Sequence, residues 1–338
     1  MDMNTIRKNA RDKMKGYCRV CPECNGVACA GEVPGMGGTG TASAFKNNIE
    51  SLKRVKILLR TLHDAKKPDT STNLFGYELE MPIISAPITG SSFNMGGALT
   101  EEEYANAVVN GSVNSGTIAM TGDSADHSMY LTGLESIKKV TGKGIPIIKP
   151  RENRAIIEKI RLAEKINPLA VGVDIDGSGL VTMALKGQPV GPKNRKELVE
   201  IIKATKIPFI LKGIMTSDEA QMAVDAGAKA IVISNHGGRI LDHTPGVAEV
   251  LPEIAKKVKG KITILADGGI RSGVDVFKML ALGADGVLIG RPIIMGAFGG
   301  YTEGVEMVLN SMKQELLKTM ILTGCNNIND IDNTKIRI

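Results

Sequence analysis

The chain has 338 residues, of which 43% are apolar and 23% are charged, and its net charge is +6. This composition is ordinary for a globular protein with a large core, and it excludes a low-complexity or largely disordered chain. The lysines and arginines are spread along the sequence, so nothing indicates a nucleic-acid or membrane partner. We find no secretory signal and no apolar stretch long enough to span a bilayer, and we expect a cytoplasmic protein.

Four of the five cysteines lie within twelve positions near the start of the chain: Cys18, Cys21, Cys24 and Cys29. The spacing of the first three, Cys-x2-Cys-x2-Cys, is similar to the start of a ferredoxin-type iron–sulfur run, although the last spacing is longer. Zinc is a second interpretation, and free or redox-sensitive thiols are a third. The glycine-rich segment 31–41 that follows lacks the Gly-Lys-Ser/Thr of a nucleotide loop, and we expect it to be a flexible cover.

From about residue 80, eight short apolar runs alternate with amphipathic stretches. Strands that alternate with helices form a parallel sheet, and eight such units predict an α/β fold, a (β/α)8 TIM barrel. We assign the barrel to residues 81–338 and a helical and loop extension, packed on it, to residues 1–80. The predicted strands are Pro82–Ala86, Gly116–Met120, Pro146–Ile148, Ala170–Val173, Pro208–Leu211, Ala230–Ile233, Ile262–Ala266 and Gly286–Ile289. The predicted helices include Arg154–Ile166, Asn194–Lys203, Ser217–Asp225, Val247–Val258 and Gly273–Leu282, with a closing helix or two over Thr302–Thr323.

The hexapeptide Ser-Asn-His-Gly-Gly-Arg follows the sixth predicted strand, so it lies on the face where TIM barrels carry their active sites. His236 can take a proton, and Arg239 can bind a carboxylate through two parallel hydrogen bonds. The glycines between them allow the backbone to approach a flat ligand.

Two further glycine–arginine segments follow the seventh and eighth strands. Asp267, Gly269 and Arg271 belong to Asp-Gly-Gly-Ile-Arg, and Gly290 and Arg291 precede a proline. TIM barrels often bind a phosphate at these two loops, where backbone N–H groups and cationic side chains meet. The sequence therefore predicts a phosphate site at this edge of the barrel mouth.

Together these motifs resemble those of the FMN-dependent α-hydroxy acid dehydrogenases and oxidases, the family of glycolate oxidase and lactate oxidase. The resemblance covers about residues 45–300. It implies FMN as cofactor, oxidation of a small 2-hydroxy acid to the 2-keto acid, and reoxidation by oxygen or by a redox partner. It also implies a homotetramer or homo-octamer.

The resemblance further implies roles for single residues. His236 would accept the hydroxyl proton of the substrate, Arg239 would bind its carboxylate, and Lys212 would stabilise the reduced flavin. Asp174 would pair with His236, with Asp176 as a nearby competitor for that role. The residues implied to contact FMN are Ala86, Pro87, Ile88, Thr121, Lys149, Lys212, Ser234, Asp267, Gly269, Arg271, Gly290 and Arg291.

The chain departs from the family pattern at two substrate contacts. After the third strand the family carries Phe-Gln-x-Tyr, whereas this chain has Lys149 and a proline there. Lys149 is either an added contact to the flavin or the carboxylate, or a solvated loop lysine. Tyr17 is only a loose match to the family's N-terminal tyrosine, and we expect it at the substrate.

Two other functions compete with this interpretation. An FMN-dependent isomerase of the isopentenyl diphosphate type would have a related barrel, but the His-Gly-Gly-Arg arrangement suits a carboxylate better. A flavin or metal redox sensor would use the cysteines and would need no catalytic groups. The presence of His236, Arg239, Lys212 and Asp174 together argues against such a sensor.

Overall fold

The computed structural model describes residues 1–180, 183 and 186–338 of the chain. Its centre is a closed barrel of eight parallel strands, each paired with its neighbours in chain order, with the last strand beside the first. The predicted TIM barrel is therefore confirmed, and each predicted strand overlaps one barrel strand. The barrel strands are β4 Ile83–Ile88, β5 Ala119–Thr121, β6 Gly144–Ile148, β7 Val171–Asp174, β8 Phe209–Ile214, β9 Ala230–Ile233, β10 Thr263–Ala266 and β11 Gly286–Ile289.

Helices follow the strands and cover the outside of the barrel. They are α3 Ser91–Asn94, α4 Glu101–Asn114, α5 His127–Lys139, α6 Asn153–Glu164, α7 Arg195–Lys203, α8 Ser217–Ala226, α9 Val247–Val258, α10 Gly273–Ala281 and α11 Arg291–Ile321. The closing helix α11 begins at Arg291, earlier than predicted, and it is kinked where Gly300 and Tyr301 leave helical φ/ψ values. Within the described ranges, no helix has the length and apolarity needed to cross a bilayer.

The first 80 residues contain α1 Met3–Lys13, α2 Ser43–Arg54 and strands β1 Lys56–Ile57, β2 Thr72–Leu74 and β3 Tyr77–Leu79. Helix α1 packs against α11, and α2 packs against α9. Strand β1 pairs with the last strand, β12 Ile336–Arg337, and β2 pairs with β3 as a hairpin. The division into an extension, 1–80, and a barrel, 81–338, stays a prediction.

The inside of the barrel is apolar and sets the position of the site. Ile84, Met120 and Ile210 belong to one buried interior cluster, which Leu74 and Leu79 of the β2–β3 hairpin join. Glu80 N donates to Gly116 O (2.8 Å) just before β5, so the hairpin covers the amino ends of the strands. The polar side chains that follow the strands are thus left at the opposite, carboxyl end.

A close approach between α2 and the loop after β9 gives a first testable prediction. A Cβ on Gly238 would lie 2.3 Å from Phe45 N, and Gly238 has a φ of +77°. Gly260 has a similar φ of +79° but open space around its Cα. We expect Gly260→Ala to lower the free energy of unfolding by about 1 kcal/mol from strain alone. Gly238→Ala should cost about 3 kcal/mol, because α2 must also move.

Urea denaturation of both variants with the wild type measures the difference. Equal losses for the two alanines would show that contact between α2 and this loop does not limit stability.

Candidate active site

Lys212 is the centre of a buried charge cluster formed by the carboxyl ends of β7 to β10. Its Nζ donates to Ser234 Oγ (3.0 Å) and Asp174 Oδ1 (3.3 Å) and lies 3.8 Å from Asp176 and 3.7 Å from Asp267. Asp174 and Lys212 are direct partners in the β7–β8 register, which brings them to the same end of the barrel. Burial opposes the charge of Lys212, but the three carboxylates outweigh it and raise its pKa.

His236 faces the two aspartates of this cluster. Its Nδ1 lies 3.1 Å from Asp176 Oδ1 and 3.5 Å from Asp174 Oδ1, and its backbone N–H donates to Ser234 Oγ (3.0 Å). The sequence assigned the pairing to Asp174, but Asp176 makes the shorter contact. The reason is the single 3-10 turn Ile175–Gly179, which carries the Asp176 side chain back over the end of β7.

The surrounding charges move the pKa values of Asp174 and Asp176 in opposite directions. Burial alone would raise the pKa of Asp174, but the charges of His236, Lys149 and Lys212 hold it well below its usual range. Burial and the neighbouring Asp174 charge raise the pKa of Asp176 to about 6. Burial would lower the pKa of His236, but the two carboxylates raise it above its ordinary value. His236 Nδ1 is therefore held by carboxylates, and Nε2 has no hydrogen-bond partner among the described residues.

Lys149 belongs to the same cluster. Its Nζ lies 2.5 Å from Asp174 Oδ2, the oxygen that Lys212 does not contact, and its side chain is only 13% exposed. Lys149 is therefore not a solvated loop lysine. It shares Asp174 with His236 and Lys212.

Arg239 lies under the glycine-rich segment 31–41. Its Nη1 donates to Gly35 O (2.5 Å) and Gly37 O (3.0 Å), and Nη2 donates to Asn94 Oδ1 (3.1 Å). Thr39 N in turn donates to Gly238 O (2.9 Å). The segment thus lies over the hexapeptide loop, as the sequence indicated, and supplies neutral partners to the guanidinium.

The loops after β10 and β11, where the sequence predicted a phosphate site, carry two more arginines. Both stack on one aromatic ring. The guanidinium of Arg291 lies 3.7 Å from the centre of the Phe45 ring, and that of Arg271 lies 5.7 Å from it. Arg291 Nε donates to Met36 O (3.0 Å), while the buried Nη2 of Arg271 has no partner. Burial and the nearby Arg271 lower the pKa of Arg291 to about 9.

None of these three arginines has a carboxylate partner within the part of the chain that the structure describes. Half-buried cations without counter-charges are well suited to bind anions. The unpartnered Arg271 Nη2 lies where the sequence predicted a phosphate, so these residues fit FMN.

Other residues predicted to contact FMN lie at the same carboxyl end of the barrel. Ser234 Oγ donates to Asp267 Oδ2 (2.9 Å), and Asp267 Oδ1 is buried without a partner. Residues 86–88 end β4, and Ile88 Cδ1 lies 3.0 Å from the position of a Cβ on Gly290, so the ends of β4 and β11 adjoin. Gly269, with φ +85°, meets the backbone of α2, where a Cβ would lie 2.6 Å from Asn48 O.

One predicted contact is not brought to the mouth of the barrel, and a second lies beside the covering segment. Met120 points into the barrel interior, so the next side chain, Thr121, points outward. Thr121 packs against Gly133 of α5, and its buried hydroxyl has no partner, which makes its assignment to the flavin wrong in this structure. The Tyr17 ring lies beside Gly96, and Tyr17 O accepts a hydrogen bond from Met36 N (3.2 Å) of the segment that covers Arg239. Contact of Tyr17 with the substrate stays a prediction.

Sequence reasoning missed a second buried charge cluster behind the site. Asp123, after β5, pairs with Arg151, after β6, and with Lys159 of α6 at 3.2 Å. Arg151 Nε also donates to Gln188 Oε1 (3.1 Å) in the loop after β7. The available signal was a charged residue within three positions after a strand, which applies to Asp123 after β5 and to Arg151 after β6.

Potential metal ligands gather at one point in the described residues. Asp174, Asp176 and His236 offer ligand atoms within 4.8 Å of one another. Lys149 and Lys212 already supply the positive charge there, so we assign no metal to this group. Cys18, Cys21, Cys24 and Cys29 are free and half-buried, and a metal centre at these cysteines stays a prediction.

The histidine–carboxylate contacts, the buried lysine and the arginines without carboxylate partners among the described residues lie together at the carboxyl end of the barrel strands, where TIM-barrel enzymes have their active sites. Comparison with protein families agrees. The FMN-dependent dehydrogenase family matches residues 35–189 and 178–338, and the chain belongs to this family. It is an FMN-dependent oxidoreductase, and the isomerase alternative is not favoured.

Relatives and solved structures are similar over most of their length. A peroxisomal (S)-2-hydroxyacid oxidase from Arabidopsis thaliana is 31% identical, with 89% of this chain and 90% of the relative covered. An L-lactate oxidase from Lactobacillus jensenii is 33% identical over 87% of this chain and 78% of the relative. The crystal structure of mandelate oxidase with (S)-2-phenylpropionate superposes with a TM-score of 0.79 at 28% identity, covering 99% of this chain and 97% of the other.

Proposed function

We propose that the chain oxidises a small 2-hydroxy acid to the 2-keto acid with His236 and Arg239 as its central groups. The observation that carries this proposal is the pair itself. A histidine held at Nδ1 by two carboxylates lies three residues from an arginine that has no carboxylate partner in the part of the chain that the structure describes. A base and a guanidinium with only neutral partners, both on the loop after β9, suit a substrate that has both a hydroxyl and a carboxylate.

His236 acts as the base that takes the hydroxyl proton at Nε2. Asp174 and Asp176 hold the ring by Nδ1 and stabilise the imidazolium that forms, as carboxylates do in other histidine-based sites. Asp174, whose pKa is held well below its usual range, keeps its negative charge in acid, whereas Asp176, whose pKa is raised to about 6, loses its charge at higher pH than Asp174 does.

Arg239 binds the substrate carboxylate and fixes the α-carbon. Its N–H groups are bonded to the carbonyl oxygens of Gly35 and Gly37, which are neutral acceptors. A carboxylate forms stronger, charge-assisted hydrogen bonds and can displace them. We propose that segment 31–41 shifts when substrate enters.

Arg271, Arg291, Ser234 and Lys212 would hold FMN, which when bound would supply the acceptor for the hydride from the α-carbon. The two arginines bind the phosphate. Lys212 is kept charged by its carboxylates and offers a fixed ammonium to the negative charge of a reduced flavin.

Lys149 tunes the base through Asp174, and this makes a pH prediction. The Lys149 ammonium lies on Asp174 and lowers the proton affinity of His236. In Lys149→Met the pKa of His236 should rise, so the acidic limb of kcat/KM should move to higher pH by about one unit or less. Lys149→Arg keeps the charge and should leave the limb in place. The measurement is the pH–rate profile of both variants. This role would be contradicted if the acidic limb lay at the same pH in both, or if it moved to lower pH in Lys149→Met.

The proposed reaction is tested by product analysis. The purified holoenzyme is incubated with glycolate, lactate and mandelate, in air and anaerobically with an artificial electron acceptor, and 2-keto acids are quantified. Product from at least one acid supports the proposal, and the two conditions separate oxygen from a redox partner as acceptor. No keto acid in either condition would reject it.

Cytoplasmic location and assembly into a homotetramer or homo-octamer stay predictions. Cell fractionation tests the first, and light scattering of the purified protein tests the second.

A further inference from the structure

The second buried charge cluster lies directly behind Lys149, a residue at which the chain departs from the family pattern. Its centre is Asp123, whose fully buried carboxylate pairs with Arg151 through Oδ2 and accepts from Lys159 Nζ at Oδ1 (3.2 Å). Replacing buried ion pairs by apolar residues is often neutral or stabilising, so stability alone does not account for three buried charges. None of the roles proposed above uses this cluster.

The cluster binds the backbone of Lys149 on both sides. Lys149 N donates to Asp123 Oδ2 (3.0 Å), and Arg151 N donates to Lys149 O (2.8 Å). Asp123 and Arg151 are themselves paired. The amide and the carbonyl of Lys149, one residue beyond the end of β6, are therefore both held by members of one ion pair.

The fixed backbone directs the Lys149 side chain to Asp174. Ile145 and Ile147 of β6 belong to the barrel interior, so the alternation along the strand directs Lys149 to the same side. Ile148 pairs with Val173 in the β6–β7 register, which puts Lys149 level with Asp174, and its Nζ donates to Asp174 Oδ2 (2.5 Å). A lysine loses much rotamer freedom when it is held in one position, so a fixed backbone favours this contact.

The same ion pair joins three loops at the mouth of the barrel. Arg151 Nη2 donates to Ser124 O (2.6 Å) after β5, and Arg151 Nε donates to Gln188 Oε1 (3.1 Å) after β7. Gln188 Nε2 in turn donates to Ala125 O (2.6 Å). The position of Lys149 is thus tied to the loops on either side of its own.

The Lys149 ammonium matters to the base because of the charges around His236. The charged groups that face His236 are Asp174 of β7, Asp176 of the turn after it, Lys212 of β8, Asp267 after β10 and Lys149 after β6. Burial lowers the pKa of His236, and the charges of Asp174 and Asp176 outweigh burial and raise it. The charges of Lys212 and Lys149 oppose that rise. Displacement of Lys149 from Asp174 would therefore increase the proton affinity of His236.

We propose that Asp123 is a positioning residue that acts on His236 through Lys149. By holding the Lys149 backbone it keeps the ammonium on Asp174 and so limits the proton affinity of the base. The inference rests on His236 as the proposed base, although its test needs no turnover. The charge of Asp123 alone would act in the opposite sense, because loss of a nearby negative charge lowers the proton affinity of a histidine. The sign of the change therefore separates positioning from a direct charge effect.

The test is the pKa of His236 in the full-length holoenzyme, measured by nuclear magnetic resonance titration with isotope-labelled histidine. The chain has four histidines, and His236→Gln assigns the signal. Asp123→Asn should raise the pKa of His236 by at least half of the rise in Lys149→Met, because an amide has one acceptor oxygen and cannot serve the donors at both carboxylate oxygens. Asp123→Asn added to Lys149→Met should give no further rise. Asp126→Asn, at an exposed residue of the same loop that caps α5, should leave the value unchanged.

A second variant keeps the test available if Asp123→Asn does not fold. Asp123→Asn with Lys159→Met removes one cation together with the carboxylate, so the net charge of the cluster is unchanged, and the same rise is expected. FMN content and the unfolding midpoint identify folded samples. An unchanged or lowered pKa of His236 in both Asp123 variants, or a further rise on top of Lys149→Met, would overturn the proposal. Because the titration is made without substrate, failure of the proposed reaction appears only in the product analysis and is distinguishable from failure of this inference.

Discussion

Replacement of His236 by glutamine is expected to lower kcat by about 10³-fold while FMN stays bound. Glutamine can keep a hydrogen bond to Asp176 or Asp174, but it cannot accept the hydroxyl proton, and a positioned base contributes about 10²–10⁴-fold. FMN content should be unchanged, because we assign FMN to the arginines, Ser234 and Lys212. Steady-state kinetics with the best 2-hydroxy acid measures the loss.

His243 provides the matched control for this variant. It lies seven residues further on, with a side chain that is 73% exposed. His243→Gln should keep kcat within about twofold, as surface substitutions usually do. If His236→Gln retained more than a tenth of the wild-type kcat with full FMN content, His236 would not be the base.

Replacement of Arg239 by methionine is expected to lower kcat/KM by about 10²–10³-fold. The variant removes the guanidinium proposed to bind the carboxylate, and loss of one member of such a charge pair costs 2–5 kcal/mol. Arg239→Lys keeps the charge but not the two parallel N–H groups, so its loss should be intermediate. The measurement is kcat/KM for a 2-hydroxy acid and for the corresponding amide, which carries no charge.

The amide identifies the cause of the loss. Wild-type enzyme should prefer the acid strongly, and Arg239→Met should lose most of that preference. Arg154→Met, at a side chain that is 91% exposed, should behave as wild type. An Arg239→Met enzyme that still preferred the acid by the wild-type factor would show that another cation binds the carboxylate.

The sequence predicted the barrel well because its signals are local. β-Branched runs alternate with amphipathic helices, and the glycine–arginine loops follow particular strands. Residues at or just after the end of a predicted strand lie at the carboxyl end of the barrel, which is why Asp174, Lys212 and His236 were predicted from the sequence to lie at one end and meet in the structure.

The remainder of the site depends on geometry that spacing does not encode. Asp176 reaches His236 only because the chain turns tightly after β7. Thr121 is the last residue of β5, and the alternation of side chains along the strand directs it outward. The contact of Arg239 with Gly35 and Gly37 joins positions about two hundred residues apart. Such contacts follow from tertiary packing, which a single sequence does not reveal.

The most direct test of the central claim is anaerobic mixing of the holoenzyme with a 2-hydroxy acid that carries hydrogen or deuterium on the α-carbon. If the chain oxidises 2-hydroxy acids, the absorbance of oxidised flavin should be lost, more slowly with deuterium, in wild type and far more slowly in His236→Gln. Flavin that stays oxidised with every acid tested, in a protein with full FMN content, would contradict the proposed reaction.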